Sequence, residues 1–121
     1  MEKTAWEIAQ NVVQILDNKK GQNIEAIRVT DISTLCEYFV LCTGGSTTQV
    51  KALAEEVEFK MKQDFELPPS RTEGYQSGSW IVVDYGCVIV HVFSQEMREF
   101  YNLEHLWADG EKMDLSSIVK E

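Results

Sequence analysis

Three groups of residues in this chain could do chemistry. The first is Gly44-Gly45-Ser46, which follows an apolar run and precedes a helical pattern. Such a turn can cradle a phosphate on the N–H groups that open a helix. Phosphoryl chemistry also needs a lysine at Walker spacing or paired carboxylates to hold a divalent metal. No Walker lysine follows, Tyr38 to Thr43 holds no acid, and the later strand-like runs offer Asp84 alone. The turn therefore reads as a strand-to-helix connection with its own cap. The second group is His91 and His105. His91 shares a strand face with Ile89 and Phe93, and no serine or cysteine nucleophile stands at a motif spacing from it. A core or interface role suits it better than catalysis. His105, between Glu104 and Leu106, reads as a surface or half-buried helix residue. The third group is Cys36, Cys42 and Cys87, odd in number and each in or beside an apolar run. These read as free, mostly buried thiols in a reducing compartment. No C-x-x-C or H-x-x-x-H pair is present, so neither a metal nor a cofactor is expected.

The remaining candidate is a surface. Trp80 to Phe93 reads W-I-V-V-D-Y-G-C-V-I-V-H-V-F, two β-branched and aromatic runs around the turn Asp84-Tyr85-Gly86. That predicts a hairpin. Trp80, Val82 and Asp84 then share one face, and Ile81, Val83 and Tyr85 the other. A face that mixes a large aromatic with a carboxylate has two readings. As core, it suits Ile81 and Val82 but buries an acid at a cost of several kcal/mol unless Arg71 or Arg98 pairs with Asp84. As a binding surface, an aromatic beside a charge has the composition of a hot spot. The residues leave both open.

The elements that must position these residues follow from periodicity. Thr4 and Glu7 form a capping box, and Trp6, Ala9, Val12, Val13 and Leu16 recur at helical spacing until Lys19-Lys20-Gly21 stops the helix. Ile24 to Val29 alternates and reads as a strand. Tyr38 to Thr43 is continuously apolar and reads as a buried central strand beside it. Ser46 and Gln49 suggest a second capping box, and Val50, Leu53, Ala54, Val57 and Met61 give the stripe of a long helix ending near Asp64. Leu67-Pro68-Pro69-Ser70 breaks the chain, and one more short strand fits near Thr72. Ser94 caps a last helix, whose Met97, Phe100, Tyr101, Leu103, Leu106 and Trp107 form a wide apolar surface closed by Asp109-Gly110. The tail carries a weak apolar pattern in Met113, Leu115, Ile118 and Val119. The expected fold class is α+β: a small mixed β-sheet packed with about three helices. The strand–turn–helix step at Gly44 allows a parallel strand pair.

At 121 residues the chain is one domain, 1–121, large enough to hold a core without staples. No apolar run reaches the ~20 residues of a membrane span. The start, M-E-K-T-A-W-E, is neither a signal nor a transit peptide, so a cytoplasmic location is expected. The net charge of −9 disfavours binding to nucleic acid, whose phosphates need lysine and arginine patches. It suits a basic protein partner, and it also simply keeps a protein soluble.

Read in order, D-I-S at 31–33, Y-F-V-L-C-T-G at 38–44, E-G-Y-Q-S-G-S-W-I-V-V-D-Y-G at 73–86, V-H-V-F at 90–93 and R-E-F-Y-N-L-E-H-L-W-A-D at 98–109 resemble the ribosomal silencing factor, or Iojap-like, family. The resemblance spans nearly the whole chain. It implies a nucleotidyltransferase-like topology without the catalytic carboxylates, and no enzymatic activity. It implies a translational repressor that binds the large ribosomal subunit through its fourteenth protein and sterically blocks subunit joining under nutrient limitation. By position, the partner surface would centre on Trp80, Ile81, Val82, Asp84 and Tyr85, extended by His91, Phe93, Phe100 and Tyr101. The family often carries an acid where this chain has Cys87, so one charge contact to a basic partner would be missing. Two other readings remain. An assembly factor for the large subunit would use the same surface, and a nucleotidyltransferase would use Gly44, Gly45 and Ser46. Exposed aromatics and a sheet edge also suit pairing of two free copies.

Overall fold

A computed structural model describes residues 4–30, 34, 36–102 and 110–119. The D-I-S segment and residues 103–109, with His105 and Trp107, lie outside the described residues.

Thr4 opens helix α1 (Ala5–Asn18) with the expected capping box: its hydroxyl accepts the Glu7 N–H, and the Glu7 carboxylate accepts the Thr4 N–H. Ile8, Ala9, Val12, Val13 and Leu16 face inward. The helix stop differs from the expected glycine. Lys20 takes the left-handed conformation (φ +67°), not Gly21. Gly21 is needed for space instead: a Cβ there would lie 2.4 Å from Cys42 Sγ.

Strand β1 (Gln22–Arg28) pairs antiparallel with β2 (Tyr38–Gly44), with a register slip between Gln22 and Glu25. Asn23, at φ +48°, lies in that bulge. Every residue of β2 is buried, as its unbroken apolar run predicts. Helix α2 (Thr47–Phe65) carries Val50, Leu53, Ala54, Val57 and Met61 fully buried along one stripe. The second capping box is only half formed. Ser46 accepts the Gln49 N–H at 3.1 Å, but the Gln49 side chain accepts the Gly45 N–H rather than returning to Ser46.

Strand β3 (Arg71–Glu73) is the short strand expected near Thr72, and β4 (Trp80–Asp84) and β5 (Val88–Ser94) form the hairpin. Strand β5 runs parallel to β2, with α2 as the crossover. Ser94 caps helix α3 (Gln95–Tyr101), which closes on left-handed Asn102; the rest of the expected apolar surface, Leu103, Leu106 and Trp107, lies outside the described residues. Strand β6 (Glu111–Lys112), absent from the sequence reading, pairs with β1. The strand order is β3-β4-β5-β2-β1-β6.

The sheet has two unequal faces. Helices α1 and α2 cover one, over Ala26, Val40, Cys42, Ile81, Val83, Val90 and Val92; the tail packs here too, through Ile118 with Met113, Leu115 and Val119. The other face holds a smaller cluster of Ile27, Val29, Cys36, Phe39, Leu41 and Phe93, with Trp80, Ile89 and Met97 against it. Helix α3 contacts β5 and β2.

Candidate functional site

The hairpin register builds the site on the second face. Trp80 lies opposite Phe93, Val82 opposite His91, and Asp84 opposite Ile89. Cross-strand neighbours of this kind touch directly. Trp80 is half-buried, with ring centroids 5.8 Å from Phe93, 5.9 Å from His91 and 4.7 Å from Tyr101. Its indole N–H donates to His91 Nδ1 at 3.1 Å. The proton of the neutral imidazole therefore belongs on Nε2, which is buried without a hydrogen-bond partner. Burial lowers the His91 pKa to about 4, and the opposing influence of Asp84 does not offset it. A histidine neutral at physiological pH, with Nδ1 already bonded, is set up as a rigid aromatic support for Trp80. Phe39 meets the imidazole edge-on, with ring centroids 5.2 Å apart.

Asp84 is held twice. Its carboxylate accepts the Gly86 N–H at 2.7 Å across the turn, and Arg71 Nη2 stands 3.7 Å away. Of the two arginines the sequence offered, Arg71 is the partner. Arg98 is used differently: it is 5% exposed, donates to Thr43 Oγ1 at 2.9 Å and to the Asn23 carbonyl, and bonds Glu25 Oε2 at 2.8 Å. Lys112 Nζ reaches the other Glu25 oxygen at 2.6 Å. Arg98 thus ties α3 to β1 and β2, and Arg98 rather than Phe100 or Tyr101 is the buried residue of that helix. Nothing in the local spacing pointed to this role.

The nine residues expected at the surface separate into three groups. Trp80, Val82 and Asp84 are partly exposed on one face, and Tyr101 and Phe100 beside them are 44% and 78% exposed. His91 and Phe93 are on the same face but buried, forming its floor. Ile81 and Tyr85 do not belong to the surface: both are buried on the opposite side, in the core beneath the helices. A period-two strand cannot show neighbouring residues to one partner. Ile89, on the same face and half-exposed, was missed, although its alternation with His91 and Phe93 was legible.

Two N–H groups at the glycine turn are already taken. Gln49 occupies the Gly45 N–H and Ser46 occupies the Gln49 N–H. A Cβ on Gly44 would lie 2.8 Å from Val50 Cγ2, so this glycine makes room for the helix. Burial pushes the Cys36 thiol up to about 11 and the Cys42 thiol to about 12, far from a reactive thiolate. Among the described residues no group of three or more His, Cys, Asp or Glu is placed to hold a metal, and no helix is long and apolar enough to cross a membrane.

Comparison with known proteins gives consistent matches. The family model described as "Ribosomal silencing factor during starvation" matches residues 2–121. A ribosomal silencing factor of Halalkalibacterium halodurans is 36% identical over 93% of this chain and 96% of its own length. A crystal structure of a Chromobacterium violaceum protein superposes with a TM-score of 0.84 at 34% identity, covering 93% of this chain and 92% of that one. A mouse protein named for mitochondrial assembly of the ribosomal large subunit is 30% identical, over 79% of this chain and 43% of its own.

Proposed function

Because this chain belongs to the ribosomal silencing factor family, we propose that it represses translation by binding the large ribosomal subunit through its fourteenth protein and sterically blocking subunit joining. The observation that supports this most is the Trp80 face. A half-exposed indole is fixed by His91 and flanked by Val82, Asp84 and the exposed Tyr101. An aromatic anchor already ordered before binding loses little entropy on docking. The surface is acidic where Asp84 sits, and a net charge of −9 favours a basic partner. The role needs no catalysis, and it places the protein in the cytoplasm. Two free copies would also have this aromatic face available for pairing.

The test is co-sedimentation. The chain should run with free large subunits and not with joined ribosomes, and should lower joining when added before the small subunit. Predominant sedimentation with joined ribosomes would count against steric blocking. The name of the mouse relative favours a second reading, an assembly role on the same subunit. Depletion that leaves large subunits immature, with joining of mature subunits unaffected by added protein, would select it. A nucleotidyltransferase reading has less support, since the Gly45 N–H is taken by the Gln49 side chain and the Gln49 N–H by the Ser46 hydroxyl.

A further inference from the structure

Helix α2 carries one large apolar side chain on its outer surface. Phe59 is 58% exposed, on the helix-covered side of the sheet and away from Trp80. Pro68, Pro69 and Tyr75 come round beside it, and with Glu55, Glu58 and Lys62 they line an open groove of about 820 Å³. The walls are a phenyl ring, two proline rings and a tyrosine. The acidic end is fixed in place, because the Tyr75 hydroxyl donates to the Glu58 carboxylate. Behind it lies Tyr85, buried, with a hydroxyl that has no hydrogen-bond partner. Burial and the nearby Glu58 push both tyrosine hydroxyls well above their ordinary range. No described cation is ion-paired with Glu55 or Glu58.

We propose that this groove docks a basic amphipathic segment of a partner protein. An aliphatic side chain would lie on Phe59, the prolines and Tyr75, and a neighbouring arginine or lysine would meet Glu55 and Glu58. An arginine there gains both a carboxylate and an aromatic face to stack on. Charge selects this occupant over others. An acidic segment would approach a chain of net charge −9. A second copy docked groove to groove about a two-fold axis would bring the two sets of Glu55 and Glu58 together. The inference does not depend on the function proposed above. The groove lies across the sheet from Trp80, so a chain engaged through its Trp80 face keeps it open.

The probe is a short fluorescein-labelled peptide of alternating leucine and arginine, followed by anisotropy, with amide shifts of the labelled protein to locate it. The intact chain should bind it and shift amides around 55–63, 68–69 and 75. Phe59→Ala should weaken binding by about tenfold, as expected for loss of an aromatic anchor. Phe59 is exposed, so this change leaves the fold in place. The double variant Glu55→Gln, Glu58→Gln should weaken binding and flatten its salt dependence. Tyr101→Ala, on the other face, should leave it unchanged. Dependence on the uncharged Phe59 separates docking from diffuse attraction to an acidic protein. Any of four results overturns the proposal: no binding to the intact chain, equal binding of a leucine–glutamate peptide, insensitivity to Phe59→Ala, or Phe59-dependent self-association in sedimentation.

Discussion

Trp80 and His91 are joined by a single hydrogen bond, indole Nε1–H to imidazole Nδ1 at 3.1 Å. It sets the tautomer of a buried imidazole and the angle of a half-exposed indole together. The side chain a partner would meet is thus oriented by one it would not reach. The same bond makes the site sensitive to acid, since a protonated His91 carries a hydrogen on Nδ1 and can no longer accept.

The folded pKa of His91, about 4, lies below its ordinary value of 6.5. Between these values the unfolded chain binds the proton and the folded chain does not. Stability from this group is therefore complete above about pH 6.5, falls as pH drops toward 4, and levels off below it. The full effect is about 3 kcal/mol. Urea unfolding of the intact chain and of His91→Gln at pH 7 and pH 4.5 should show a much smaller loss in the variant. Equal losses would place the acid sensitivity elsewhere.

Trp80→Ala should weaken binding to large subunits by about 30- to 1000-fold, the range for a ~2–4 kcal/mol hot spot. Its contacts with His91, Phe93 and Tyr101 mean that the change also lowers the melting temperature. Tyr101→Ala is therefore the sharper test. Its ring is 44% exposed, so folding stability should change by less than about 1 kcal/mol while affinity drops. Unaltered binding by Tyr101→Ala would move the interface off this helix.

Asp84→Asn keeps an oxygen to accept the Gly86 N–H and removes the charge facing Arg71. The fold should be retained within about 1 kcal/mol. Binding to large subunits should weaken, and more at low ionic strength than at high, because screening already discounts the contact in salt. Binding that is unchanged at every salt concentration would remove Asp84 from the interface.

Arg98→Met should cost about 3 kcal/mol of stability, since it strands the Thr43 hydroxyl and leaves Glu25 to Lys112 alone. Amide exchange should quicken first in α3, which loses its tie to β1 and β2. If exchange rises evenly across the sheet, the clamp has no such local role.

How much of this was legible depended on distance along the chain. The stripe Val50-Leu53-Ala54-Val57-Met61, the apolar run of β2 and the hairpin around Gly86 were readable because each is a local period. Arg98 was not, because Thr43 and Glu25 lie 55 and 73 residues away and no spacing rule links them. Strand β6 was missed because two polar residues carry no period at all; β1 makes them a strand. Ile81 and Tyr85 are a different case. Their alternation against Trp80 already set them on the opposite face, and carrying a whole motif over as one surface overrode that signal.

The central place of β2 bears on how the protein is made. Its two neighbours arrive at different times: β1 precedes it directly, while β5 pairs with it in a register that joins Tyr38 to Val88. Until synthesis passes Ser94, one long edge of a strand buried along its whole length has no mate. An unpaired apolar edge of this kind recruits other chains. A nascent or truncated product ending between α2 and β5 should therefore be sticky out of proportion to its missing length, and the completed hairpin is what makes the chain safe to release.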